Sequence, residues 1–145
     1  MKAARNAIIG AALIAVSAWL AHLHVVAQTY HPVVRLASPD GLVYTAVQDA
    51  THERQACGAA NERFLDPVKQ ACKRCEVVIA RCERQLDGFE LDVYRGKAIL
   101  VHTVQGPGVR MAIEGPQPAA KASCEQIANQ LAKSGVRASG CVHPS

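Results

Sequence analysis

The chain has 145 residues, room for one small domain and accessory segments. Of its 16 basic residues, Lys2 and Arg5 lie in a short head, so the remainder carries 14 against 12 acidic residues, and only 4% of all residues are aromatic. A nearly neutral body with so few aromatic side chains excludes a nucleic-acid binder, which needs clustered basic residues and stacking platforms.

The first segment, MKAARNAIIGAALIAVSAWLAHLHVVAQTYHP, places positive charge ahead of an apolar run, the pattern that sends the following chain across a membrane. Ala7 to Leu20 has signal-peptide length, and Val25-Val26-Ala27 offers a small-residue cleavage site. Extended from Ala7 to Ala27, the run reaches about 21 residues, enough to span a bilayer core. Residues 1–27 are therefore expected to be a signal anchor in the inner membrane, held through residues 7–27, with a cleaved signal peptide as the alternative. Both versions put the rest of the chain outside the cytoplasm, periplasmic or secreted.

Residues 28–42 contain Pro32, Pro39 and Gly41 with no sustained period and read as a linker. Val43 to Val47 fits a short strand, but Tyr44, Val47, Ala50 and Arg54 also fit a helical face. Asp66-Pro67 looks like an N-cap with proline at the first helical position. After it, Val68, Cys72, Cys75, Ile79, Cys82 and Leu86 recur at helical spacing, so a helix over 67–86 is expected, ended by Asp87-Gly88. The β-branched run Val77-Val78-Ile79 supports a competing strand. From Phe89 onward Leu91 and Val93, then Ile99, Val101 and Thr103, then Val109, Met111 and Ile113 alternate with polar residues, predicting a three-stranded meander. A helix with Cys124, Ile127 and Leu131 on one face follows, then a returning strand over 136–142. Residues 43–145 thus form one exported, disulfide-rich α+β domain, with a three- to four-stranded antiparallel sheet packed by two helices.

All six cysteines, Cys57, Cys72, Cys75, Cys82, Cys124 and Cys141, lie in the exported part, and an even count in an oxidising compartment reads as a disulfide framework. Nine helical residues travel about 13 Å and six strand residues about 20 Å, so a return from the last helix brings Cys141 back toward Cys124. On one continuous helix Cys72, Cys75 and Cys82 cannot all pair among themselves, so Cys57 is expected to take Cys72 or Cys75, with the remainder open. The alternative functions of these cysteines are weaker. A Cys72-Lys-Arg-Cys75 thiol-disulfide redox pair would need its first cysteine at a helix N-terminus. A zinc site from Cys57, Cys72, Cys75 and Cys82 would compete with disulfide formation. Cys75 is followed by Glu76 and not by the histidine of a haem-attachment motif. His52, His102 and His143 are scattered through the sequence, and Ser123, Ser134 and Ser139 lack a nucleophile context. The reading therefore assigns no catalytic residue, no metal and no cofactor.

The run VRMAIEGPQPAAKASCEQIANQLAKSGVRASGCV, residues 109–142, resembles the second half of a SPOR domain, the peptidoglycan-binding module of bacterial cell-division proteins. The resemblance implies glycan binding on the sheet face, with Tyr94 and Arg110 as the ligand-binding candidates. The expected function is a non-catalytic, disulfide-stabilised interaction module in a cell-envelope assembly. A protein partner or peptidoglycan would be bound, and no nucleic acid.

Overall fold

The computed structural model describes residues 17, 29–98 and 100–145. The expected signal or anchor at 1–27 therefore lies outside the described residues apart from Ser17, and no described helix is long and apolar enough to cross a membrane. The described chain is α+β. Its strands are β1 (His31–Ala37), β2 (Val43–Gln48), β3 (Glu76–Glu83), β4 (His102–Gly106) and β5 (Val109–Glu114). Its helices are α1 (Arg54–Ala71), α2 (Gly88–Arg95) and α3 (Gln117–Lys133). The five strands form one antiparallel sheet in the order β3-β1-β2-β5-β4.

Both faces of this sheet are covered, and that accounts for the first departure from the sequence reading. Residues 31–37 are not linker but a strand flanked by β3 and β2 on its two sides. Val33 faces the layer of Val47, Val93 and Ala112, while Val34 and Leu36 face Leu65, Phe64 and Val68 of α1. A strand with helices on both faces needs apolar side chains on both, so HPVVRLA shows no alternation that would mark it as a strand. Pro32 is tolerated near the strand start, where one missing backbone donor does little harm.

The expected helix over 67–86 is also replaced. Helix α1 begins at Arg54 and ends at Ala71, so Pro67 lies in its last turns and not at its start. Cys57, Asn61 and Leu65 form its buried face. Asn61 donates from Nδ2 to the Arg81 carbonyl at 2.9 Å and accepts from Gln48 Nε2 at 3.2 Å, fastening α1 to β3 and β2. Past a tight turn at Cys72 to Cys75 the chain runs straight into β3, where Val77, Val78 and Ile79 follow their β preference. Val78 falls at a register shift opposite Arg35-Leu36 and is left exposed; a bulge of this kind on an edge strand hinders pairing with another sheet.

Only the last two strands of the expected meander are strands. The segment holding Leu91 and Val93 is helix α2, set by a reciprocal capping box. The Asp87 carboxylate accepts from the Glu90 N–H at 2.7 Å, and Glu90 in turn accepts from the Asp87 N–H. Gly96 closes the helix in the left-handed conformation. Buried Glu90 also pairs with Arg81 Nη2 at 2.7 Å, tying α2 to β3. Helix α3 follows the Gly115-Pro116 turn and buries Ala120, Cys124 and Ala128. The expected strand over 136–142 is irregular and joins β4 through the isolated bridge Thr103–Val142 and through hydrogen bonds between Ser139 and Gln105. The architecture is thus a sheet with α1 and α3 on one face and α2 on the other.

Three disulfides staple this frame: Cys57–Cys82, Cys72–Cys75 and Cys124–Cys141, with Cα separations of 6.0, 5.4 and 5.5 Å. The expected partner for Cys57 is therefore corrected, because β3 returns beneath α1 and carries Cys82 to it, while the turn after the helix lets Cys72 and Cys75 bond locally.

Two glycines separate backbone need from mere tolerance. Gly115 has φ of 138°, and a Cβ there would meet Leu42 Cδ2 at 2.8 Å and the Gly41 carbonyl at 2.9 Å. Gly58, within α1, has open space around it. Gly115→Ala is expected to destabilise the protein by about 2 kcal/mol or more. Gly58→Ala is expected to stabilise it by about 0.5–1 kcal/mol. Denaturant unfolding of the two variants checks both signs.

Candidate functional site

Helix α1 packs over β1 and β3, and α3 packs over β4 and β5, so on that face β2 is left between them. The result is a groove of about 940 Å³. Its floor is Leu36, Tyr44 and Met111; Phe64 and Val68 come from α1, and Ser123, Gln126, Ile127 and Gln130 from α3. Strand alternation aims Tyr44 up from β2, and its hydroxyl shares a hydrogen bond of 2.9 Å with Ser123 Oγ, linking the sheet to α3 across the floor. The interior is apolar with hydroxyl and amide groups along the α3 side.

One end of the groove is charged. The Cys72–Cys75 disulfide closes a turn that displays Lys73 and Arg74, both exposed. Opposite it stands the β1–β2 turn, in which the Ser38 hydroxyl donates to the Asp40 carboxylate. Asp40 is held below its ordinary value of 3.8 by that Ser38 hydrogen bond first, then by its own backbone N–H and the positive charge of Arg74. Asp40, Lys73 and Arg74 are the only charged groups among the described groove residues, so this end carries a positive excess.

The two residues implied by the SPOR resemblance meet on the other face. The Arg110 guanidinium lies 4.7 Å above the Tyr94 ring, and His31 packs edge-on against the same ring at 4.7 Å. Arg110 also pairs with Asp49, so its charge is already neutralised within the fold. The redox candidates Cys72 and Cys75 are bonded to each other at the C-terminal end of α1, where the helix dipole disfavours a thiolate.

Sequence reasoning treated His102 and His143 as scattered, yet the fold brings them together. His102 on β4 is 3% exposed, and its Nδ1 lies 3.0 Å from Nδ1 of His143. The signal was faint: His143 lies two residues beyond Cys141, and the Cys124–Cys141 bond, the Ser139–Gln105 hydrogen bonds and the Thr103–Val142 bridge carry it back to β4.

Together these features define a disulfide-stapled α+β domain with an inter-helix groove. Comparison with protein-family models, curated proteins and solved structures finds no match to this chain.

The Asp40 arrangement is directly testable. Because its pKa is depressed in the folded chain, its contribution to stability is present above 3.8 and lost as the pH falls through the lower folded value. Ser38→Ala is expected to move the Asp40 titration up toward 3.8, followed by carboxyl NMR shifts against pH.

Proposed function

We propose that the chain is an exported envelope protein, anchored in the inner membrane through residues 7–27, whose periplasmic domain binds a segment of a partner protein in the groove between α1 and α3. The disulfides support the compartment, since six paired cysteines suit an oxidising environment. The single observation that carries the binding role is the gap between α1 and α3 above Tyr44 of β2 and Met111 of β5. Tyr44 and Met111 remain only partly buried on a face where their neighbours Val34, Ile113 and Val104 are closed over. Apolar side chains of a partner segment would complete that layer, while an acidic residue would meet Lys73 and Arg74 at the charged end.

A second reading rests on the Tyr94 and Arg110 pair. An aromatic ring bearing a guanidinium is a surface on which a sugar could stack, as the SPOR resemblance implies for peptidoglycan. It is the weaker one, because Arg110 is already paired with Asp49 and the Tyr94 ring is already engaged by Arg110 and His31.

Photo-crosslinking in intact cells separates the two. A photoreactive residue in place of Gln126, exposed on the α3 wall, should yield a protein adduct; the same residue in place of Lys97, beyond α2, should not. Adducts at neither position, with co-sedimentation on peptidoglycan sacculi that is lost in Arg110→Ala, would overturn the groove reading and establish the glycan one.

A further inference from the structure

Away from the groove, on the outer side of α3, we propose that His102 and His143 form a site for one divalent transition-metal ion, Cu(II) in preference to Zn(II). The argument begins with the protons. His102 Nε2 lies 3.0 Å from Gln117 Oε1, an amide oxygen that can only accept, so Nε2 carries the hydrogen and Nδ1 presents a lone pair. His143 Nε2 lies 3.8 Å from a Glu125 carboxylate oxygen, likewise an acceptor. His102 is thus held with an acceptor behind it and a bare Nδ1 in front, the arrangement in which metal-bound histidines are usually held. The Glu125 carboxylate lies beyond hydrogen-bond distance of His143 and leaves the tautomer of that ring free.

The two Nδ1 atoms face each other at 3.0 Å. A hydrogen on His143 Nδ1 can bridge them, and an ion that displaces that hydrogen would take both lone pairs. Two nitrogens bound at about 2.0–2.1 Å to one ion stand roughly 2.9 Å apart at a right-angled centre and roughly 3.3 Å apart at a tetrahedral one. The observed separation falls between these values. The Cys141 sulfur borders the same space at 4.0 Å from His102 Nδ1 and 3.8 Å from His143 Nδ1, and all three ligand atoms lie within 4.8 Å of one another. Because that sulfur is in the disulfide with Cys124, it is a weak donor beside the ion, and water would fill the remaining positions.

The site is also held in place. His102 comes from β4 and is buried; His143 is exposed on the C-terminal tail, but that tail is pinned by the Cys124–Cys141 bond and by Thr103 and Val142, which exchange backbone hydrogen bonds of 2.9 and 2.8 Å. A pair of imidazoles suits several borderline ions, and the usual order of affinities places Cu(II) first among them.

The full-length protein with its disulfides intact, titrated at neutral pH with a copper(II) salt and in parallel with a zinc salt, tests this. The wild type should bind one copper more tightly than zinc, with an electron paramagnetic resonance spectrum showing two coupled nitrogens. His143→Ala removes an exposed tail ligand without touching the core and should weaken that binding at least tenfold. Gln117→Leu removes the acceptor that fixes the His102 tautomer and should weaken it by about tenfold with an unchanged denaturation midpoint. His52→Ala should leave binding as it is, separating this site from other histidines. Wild type and His143→Ala that behave alike toward copper, whether both bind or neither does, would overturn the proposal and leave the two nitrogens sharing a proton.

Discussion

On the groove face each helix is bonded toward the outer side of the sheet. Cys57 ties α1 to edge strand β3 through Cys82, and Cys124 ties α3 to the tail that bridges edge strand β4 through Cys141. Two helices on one face would otherwise gain by closing over the middle strand, since burying apolar area is favourable at about 25 cal/mol per Å². Here each is restrained by a covalent link, of the kind that contributes on the order of 3 kcal/mol for loops of this length. Asn61 adds a polar restraint in the same sense, because its amide is committed to Arg81 on β3 and Gln48 on β2. The open strip above β2 is therefore a consequence of where the staples are, and the groove follows from it.

The opposite face is closed differently. There the single short helix α2 covers Val33, Val47 and Ala112 with Val93 and Phe89, aided by Leu86 before it and Ala98 and Val101 after it. Eight residues suffice because the capping box, the Arg81 to Glu90 ion pair and the left-handed Gly96 fix both ends. The sheet is thus buried firmly on one side and divided on the other, which gives the molecule a closed face and a receptive one.

What could be read from the sequence follows this division. The alternation of Val109, Met111 and Ile113 and the turn at Pro107-Gly108 were legible because β4 and β5 form a hairpin whose pairing is local. The travel along α3 and back also brings Cys141 to Cys124, although the return is a pinned coil and not a strand. Strand β1 was not legible, since burial on both faces removes the alternation by which a strand announces itself. The stretch from Cys72 to Cys82 misled for a related reason: its apolar spacing matches both a helical stripe and a strand, and only a turn at Cys72 to Cys75 decides between them. Asp87 and Glu90 carried a capping signal for α2 that the alternating residues after them obscured. The groove depends on three elements far apart in the chain, and no local pattern marks it.

Helix α3 links the two features that the sequence concealed. Its inner side gives Ser123, Gln126, Ile127 and Gln130 to the groove, while its first residue, Gln117, and buried Cys124 face the histidine pair and the tail. A ligand joining His102 on β4 to His143 on the tail would add a second link between the sheet edge and the chain to which α3 is already bonded. That would favour positions in which α3 stays over β4 and β5, and hence those in which the groove above Tyr44 and Met111 stays open. Any such effect must be reciprocal, because a ligand that stabilises the open groove must also favour the arrangement that holds the histidines together. The coupling needs no rearrangement of the core; it acts through one helix held from its outer side and contacted from its inner one.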